Sequence, residues 1–418
     1  MINKNKLKFD IAVIGGGPSG MMAAVRAAEV GASVVLIEKN ENLGKKLLIT
    51  GGGRCNLTNL NIANRELVNL YGEGGKFLYS AFNNFNVQDV IGFFDSRGVK
   101  IKEEDDGRIF PVSDRALDIR LVLTELLKKN KVEVLKSVQV NGFDIKDKKI
   151  EKIKTTKGYV VADKIVLCVG GKSYPATGSV GDGFIWAKNA GHKINELKPS
   201  LTPIVIKELW VKKLQGLSLE DIEISIYEKG KKKISSQGEI IFTHEGISGP
   251  LVYNLSRTLR GLDLKRIKLR IDFIPKNNFK ELDNILIDKL IKEGKKSCRN
   301  IMGDIISDKL VLVILDLLKI DKNKKGYEIN KEERRGLVKN SKDLEFEVSG
   351  LSGFDKAVVT AGGVSLKEID PRTLKSKIIN NLFFAGEILD IDGPSGGYNL
   401  QVAWSTGYLA GQSAAKID

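Results

Sequence analysis

The chain has 418 residues, 42% of them hydrophobic and 28% charged, with a formal net charge of +15. That length exceeds one ordinary core and predicts two or three domains, and the composition excludes a fibrous or wholly disordered chain. No run approaches the roughly 18 apolar residues of a membrane span, and Cys55, Cys168 and Cys298 form no CxxC pair, which argues against a disulfide framework or a bound metal and fits a reducing cytoplasm.

The excess charge is mostly lysine, scattered through KKNK, DKKIEK, KGKKK and DKNKKG at expected turns, and reads as solvated charge rather than a nucleic-acid face. MINKNKLKFDIAVIGGG has the basic start of a signal peptide, but its apolar run is too short and flows into a glycine turn, so it is expected to be a strand.

In chain order, FDIAVIG reads as a buried strand, GGPSG as a turn, MMAAVRAAEVG as a small-residue helix and ASVVLIEK as a second strand. Amphipathic helices are predicted over VQDVIGFFDSRG and RALDIRLVLTELLKKN, then strands over VEVLKSVQV and KKIEKIKTTKGYVVADKIVLCVGG. PSLTPIVIKE, LSLEDIEISIYEKGKKK and GEIIFTHEG alternate as strands, with a turn at EKG. FKELDNILIDKLIKEG, IMGDIISDKLVLVILDLLKI and INKEERRGLVKNSKD are helical. From residue 354 the glycine-rich α/β texture returns, so both chain ends are expected to build one α/β domain around an inserted region.

Gly15, Gly17 and Gly20 form GxGxxG between a strand and a helix, and Glu38 closes the next strand, the context a dinucleotide fingerprint requires. The glycines serve a tight turn, approach to a pyrophosphate, and helix–strand packing, while the acid accepts from ribose hydroxyls. NAD(P) and FAD both remain open on this motif alone. The distant IINNLFFAGEILDIDGPSGGYNLQVAWSTGYLAG decides for FAD: a strand delivers Gly386 and Glu387, then a helix starts at Gly397 to Leu400. Its acid suits ribityl hydroxyls and its N–H groups the flavin N1–O2 edge.

The chain resembles the BaiN/YhiN-like flavoproteins, also known as an aminoacetone oxidase family of FAD-binding enzymes. The matching segments are GGGPSGMMAA, KKLLITGGGRCNLTN, DGRIFPVSDRA, GGKSYPATGSVGDG, IFTHEGISGP, AVVTAGGVSLKEIDPRTLKSK and LFFAGEILDIDGPSGGYNLQVAWSTG. One departure is CVGG at Cys168 to Gly171, where the pattern is commonly ATGG. The resemblance implies a two-dinucleotide-binding-type, Rossmann-like FAD domain (1–195 and 354–418), an inserted β-barrel-like domain (196–277 and 341–353) and a helical subdomain (278–340). It implies that TGGGRCN lies along FAD, with Lys46, Gly51, Gly52, Gly53, Arg54, Asn56 and Thr58 as contacts. Pro18, Ser19, Lys39, Thr50, Val140, Gly170, Gly171, Asp392, Tyr398 and Asn399 complete the expected cofactor set. Family activities include redox chemistry on small amines, ketones or enones.

Several residues carry two readings. Arg54 either contacts the cofactor or makes a turn salt bridge. Cys55 is either a redox thiol or, lacking a CxxxxC partner, a packing residue. His244 either faces the flavin as an acid or base or satisfies loop carbonyls beside a helix start that Ser248 would cap. His192 reads as a surface or C-cap residue. Tyr174 and Tyr398 are flavin-shelf or substrate groups, or pack helix starts. Arg108 anchors a substrate carboxylate or an NADPH phosphate, or pairs with Asp105 or Asp106.

The expected function is an FAD-dependent oxidoreductase moving hydride between flavin N5 and a small organic molecule, with NAD(P)H or oxygen as redox partner. No second GxGxxG opens a helix between residues 195 and 353, so NAD(P)H would visit the same cleft. The alternatives are a nucleic-acid-binding flavoprotein of the tRNA-modifier kind and a flavin-binding sensor without turnover.

Overall fold

The computed structural model describes residues 8–60, 64–104 and 106–416. They fall into two compact units, Met1–Ser200 with Gly353–Asp418, and Leu201–Ser352. The first unit is organised by a seven-stranded sheet. Strand β1 (Lys8–Ile14) lies between β2 (Val34–Glu38) and strand Gly158–Leu167, parallel to both. Its side chains alternate: Ile11 and Val13 enter one hydrophobic cluster, Ala12 and Ile14 the other. A strand buried on both faces needs this continuous apolar run. Strand Glu133–Lys136 pairs parallel with β2, and Leu382–Phe384 pairs parallel with Gly158–Leu167.

Helix α1 (Pro18–Glu29) covers one face of this sheet. The C-terminal helix Tyr398–Lys416 crosses it with almost no separation. A Cβ at Gly407 would stand 2.4 Å from the Ser19 carbonyl oxygen, and one at Gly411 would stand 2.3 Å from that of Ala23. Only glycine permits that approach, and it locks the start of α1 in place.

One expected strand and one expected boundary differ from the structure. VEVLKSVQV breaks at Ser137, whose φ of 54° turns the chain between Glu133–Lys136 and Val140–Lys146. The boundary expected at residue 195 lies later, because Ile194–Ser200 pairs antiparallel with Val359–Val364 inside the first unit.

In the second unit six strands close into a barrel, in the order Ile204–Ile206, Gly246–Ser248, Lys231–Phe242, Ser218–Glu228, Ile267–Asp272 and Leu344–Leu351. Helices Phe279–Lys292 and Lys331–Lys342 begin at capping boxes, in which Asn278 pairs with Glu281 and Asn330 with Glu333. Barrel residues Phe242 and Phe346 and helical residues Leu286 and Leu315 belong to one apolar cluster. Ser248 does not cap the helix after it: Gly249 is the N-cap at φ 109°, and the Ser248 hydroxyl meets the Tyr253 hydroxyl at 3.2 Å. Among the described residues no helix is long and apolar enough to cross a membrane.

His192 is a helix-end residue rather than a surface one: its backbone N–H donates to the Ala187 carbonyl at 3.0 Å just past the C-cap of helix Asp182–Asn189. It is 3% exposed, with Nδ1 3.2 Å from Glu368 Oε2, Nε2 2.9 Å from Ser376 Oγ and its ring edge-on to Phe384. Burial lowers its pKa below the ordinary 6.5, and Glu368 opposes that shift. A depressed folded-state pKa means that the unfolded chain binds the proton more readily. Stability is therefore full above 6.5 and falls as pH drops below it toward the folded value. Thermal unfolding scanned from pH 8 to pH 5 should show this decline in the wild type and a flatter profile in His192→Asn.

Candidate cofactor site

The fingerprint turn divides its glycines by task. Gly15 has φ 102°, and a Cβ on it would stand 2.5 Å from the Cys168 carbonyl oxygen. A Cβ on Gly20 would stand 1.8 Å from the Gly15 oxygen. Packing alone therefore demands both. Gly17 is different: a Cβ there would meet nothing within 4 Å. It is the N-cap of α1 and no side chain caps it, so the first-turn N–H groups have no side-chain acceptor and space is open beside the Gly17 Cα. That is a cradle for an anion approaching backbone. Pro18 occupies the first helical position, and Ser19 lies under Gly386, whose absent Cβ would stand 2.4 Å from the Ser19 hydroxyl oxygen.

Glu38 is buried at the end of β2. Its Oε2 accepts from Gly16 N–H at 2.7 Å, and its Oε1 accepts from the Asn40 backbone and side-chain amides, both at 2.7 Å. It fixes the fingerprint turn and keeps acceptor capacity on Oε2 for a hydroxyl. Lys39 is held by Asp182 at 2.7 Å. Val140 is buried at the start of its strand.

A second polar group gathers around Glu387. Lys46 Nζ donates to Glu387 Oε2 at 2.7 Å, while Oε1 accepts from Thr360 N–H at 2.9 Å and from the Ser173 hydroxyl at 3.4 Å. Gly170 turns the chain at φ 73°. A Cβ on Gly171 would stand 2.4 Å from Thr360 Oγ1 and 2.7 Å from Glu387 Oε1. Neither Ser173 nor Thr360 was singled out from sequence, although each lies in a quoted motif. Their signal is a small hydroxyl beside paired glycines.

The second glycine triplet is a kinked turn, with Gly51, Gly52 and Gly53 at φ 56°, 68° and 89° and the Thr50 hydroxyl donating to the Leu47 carbonyl at 2.7 Å. A Cβ on Gly52 would meet nothing within 4 Å. The polar side chains after it are engaged by the protein. Arg54 lies over the Phe110 ring, 3.9 Å from its centroid, and pairs with Glu104 at 2.6 Å and Asp114 at 3.5 Å, so it makes the turn salt bridge. Oriented to satisfy its neighbours, the Asn56 amide donates to the Thr58 and Ile109 carbonyls and accepts from Gly397 N–H at 3.0 Å. The Thr58 hydroxyl donates to Gln401 at 2.6 Å, and Trp404 Nε1 donates to the Leu57 carbonyl at 3.1 Å. These bonds staple the triplet segment to the start of the C-terminal helix and commit Gly397 N–H, which was expected at a flavin edge. Gln401 is fully buried on the helix face that carries this staple.

In the DGPSGGYN turn, Asn399 accepts from Gly393 N–H at 2.8 Å and donates to the Gly393 and Pro394 carbonyls, both at 3.0 Å, while Asp392 accepts from Ser200 at 2.8 Å. Leu400 is half-buried beside them. Burial, and then the charge of Asp106, raise the Tyr398 hydroxyl's pKa above its ordinary 10.0. Arg108 is held by Asp106 at 2.6 Å and Glu104 at 3.2 Å, and Asp105 lies outside the described residues. His244 belongs to the second unit, where it is exposed and 3.7 Å from Glu245. Tyr174 stands in the left-handed region at φ 51° with its N–H bonded to the Phe354 carbonyl.

The model of the HI0933-like protein Rossmann domain matches residues 9–413. The chain belongs to the HI0933-like family. It is 33% identical over 418 residues to the 3-dehydro-bile acid delta(4,6)-reductase of Clostridium scindens, covering 97% of this chain and 99% of that protein. It is 27% identical to the ribosomal RNA dihydrouridine synthase of Haemophilus influenzae, covering 97% of this chain and 98% of that one. Among solved structures, the 3-ketosteroid-delta4-(5alpha)-dehydrogenase of Rhodococcus jostii shares the fold, with a TM-score of 0.57 and 14% identity over 100% of this chain and 98% of that one. As a member of the HI0933-like family the protein is an oxidoreductase of the FAD-dependent class.

Cys55 is free and fully buried, as a packing residue is. Burial pushes its thiol, like that of Cys168, up to about 12, and Cys298 up to about 11. At pH 8 iodoacetamide should leave all three unmodified in the native protein and label all three in denaturant, as read by mass spectrometry. The glycine division gives a second test. Gly17→Ala should fold with an unchanged melting temperature yet bind FAD at least about tenfold more weakly, about 1.4 kcal/mol. Gly20→Ala should instead lose about 1–3 kcal/mol of stability from overpacking.

Proposed function

We propose that the protein binds FAD along the first unit and reduces a carbon–carbon double bond conjugated to a carbonyl. The observation that carries the cofactor is the open, uncapped helix start at Gly17, set between the ribose-ready Glu38 and the Glu387–Lys46 pair. Two separated carboxylates flanking one phosphate cradle suit a ligand longer than a single nucleotide. The reaction class rests on what the two full-length relatives share. A 3-oxo-4,6-diene and the uracil ring each present an alkene in conjugation with a carbonyl, and each product has gained two hydrogens across it.

FAD, when bound, would supply the hydride for the electron-poor alkene carbon. The remaining work belongs to the chain. The α1 start offsets pyrophosphate charge, and Thr360, Ser173 and Lys46 hold the Glu387 carboxylate in place to receive ribityl hydroxyls. Tyr398, kept protonated by burial and by Asp106, would deliver its hydroxyl proton to the carbon next to the carbonyl and recover one from water. Arg108, already paired with two carboxylates, would position the Asp106 loop rather than bind a substrate anion. NAD(P)H would serve as the reductant at the same site. A second reading, suggested by the Haemophilus relative alone, places the alkene in a uracil of ribosomal RNA.

The test is anaerobic: purified protein with NADH or NADPH, followed by a 3-oxo-4-ene steroid or an unmodified ribosomal RNA fragment. Bleaching at about 450 nm, followed by recovery and a product two mass units heavier, supports the assignment. Recovery with RNA alone selects the second reading, and recovery with neither sinks the reaction class. Tyr398→Phe should keep its flavin while lowering turnover at least about tenfold, the usual scale for a lost general acid.

A further inference from the structure

We propose that a cavity at the edge of the central sheet, separate from the dinucleotide cradle, binds a small amphipathic anion. It measures about 360 Å³ and lies between helix Ala116–Lys129, edge strand Glu133–Lys136 and the loop after β2. Its floor is apolar: Leu43, Leu127, Val132 and Val134. Arg120, Lys128 and Lys136 stand around that floor with Asn42 beside them, and no carboxylate lines it.

Among the described residues Arg120, Lys128 and Lys136 have no carboxylate partner, a condition they share with other lysines such as Lys129, Lys131 and Lys149. What sets these three apart is their place around one concave apolar floor, whereas Arg54, Arg97, Arg108 and Arg334 are each held by carboxylates. Arg120 is also anchored, because its stem packs on Gly44: a Cβ there would stand 3.2 Å from Arg120 Cγ. Edge-strand protection accounts for a lysine at 136, and the helix dipole for a cation in the last turn at 128. Neither accounts for three uncompensated charges placed around a concave apolar floor. The three cations give the hollow a positive rim that attracts an anionic head, while an apolar body leaves water for the floor. The volume is at the small end of ligand pockets and suits one ring with a phosphate or carboxylate head. Leu43 is the shared wall, since it also packs against the fingerprint turn at Gly16.

The experiment is calorimetric titration of the full-length protein with phenyl phosphate, phenylacetate and inorganic phosphate, repeated with Lys128→Gln/Lys136→Gln. Both lysines are exposed and outside the cofactor site, so the variant should fold and keep its flavin absorbance. At least one organic anion should bind the wild type at least tenfold tighter than the variant, and more weakly as salt rises. The tighter of the two identifies the head group. Equal affinity for both proteins overturns the proposal, as does displacement of FAD by the anion. Inorganic phosphate matching both organic anions overturns it too, because the floor would then contribute nothing.

Discussion

The first unit depends on backbone packed against backbone at the start of α1. Gly20 lets the helix sit on the Gly15 carbonyl, and Gly407 and Gly411 let the C-terminal helix sit on Ser19 and Ala23. With side chains excluded from those contacts, the helix start has one available position. What remains open, at Gly17, is shaped by that constraint rather than by any residue reaching for a ligand. The site is rigid because its walls are main chain, and main chain has no rotamers to order on binding.

Polar satisfaction completes the cradle. Glu38 and Glu387 stand at the ends of different strands, and each is held by N–H donors or by a lysine rather than left free. A carboxylate fixed in this way presents its remaining lone pairs in one direction, as recognition of hydroxyls requires. One of the chain's 2 histidines is buried structure, and the other is exposed on the second unit.

Local pattern made the βαβ unit, the amphipathic helices and the C-terminal strand–turn–helix legible, because each is written in periodicity and in glycine placement within a few residues. Partners distant in sequence were not legible. Arg54, Asn56 and Thr58 also bond Glu104, Gly397 and Gln401, and pairings across such separations leave no local trace. The helix-end position of His192 was legible but its burial was not, because its partners Glu368 and Ser376 come from the far end of the chain. The break at Ser137 was hidden because a single left-handed residue interrupts a strand pattern without altering its hydropathy.

The central claim is that one FAD lies across the cradle at Gly17 in each chain. The direct measurement is to denature the purified protein, separate the released chromophore by chromatography and quantify it against protein. The account predicts FAD at one equivalent per chain once the protein is saturated with it. FMN in its place, or no flavin taken up by the folded apoprotein, would contradict it, since Glu38 and the α1 start would then have no nucleotide and no pyrophosphate to hold.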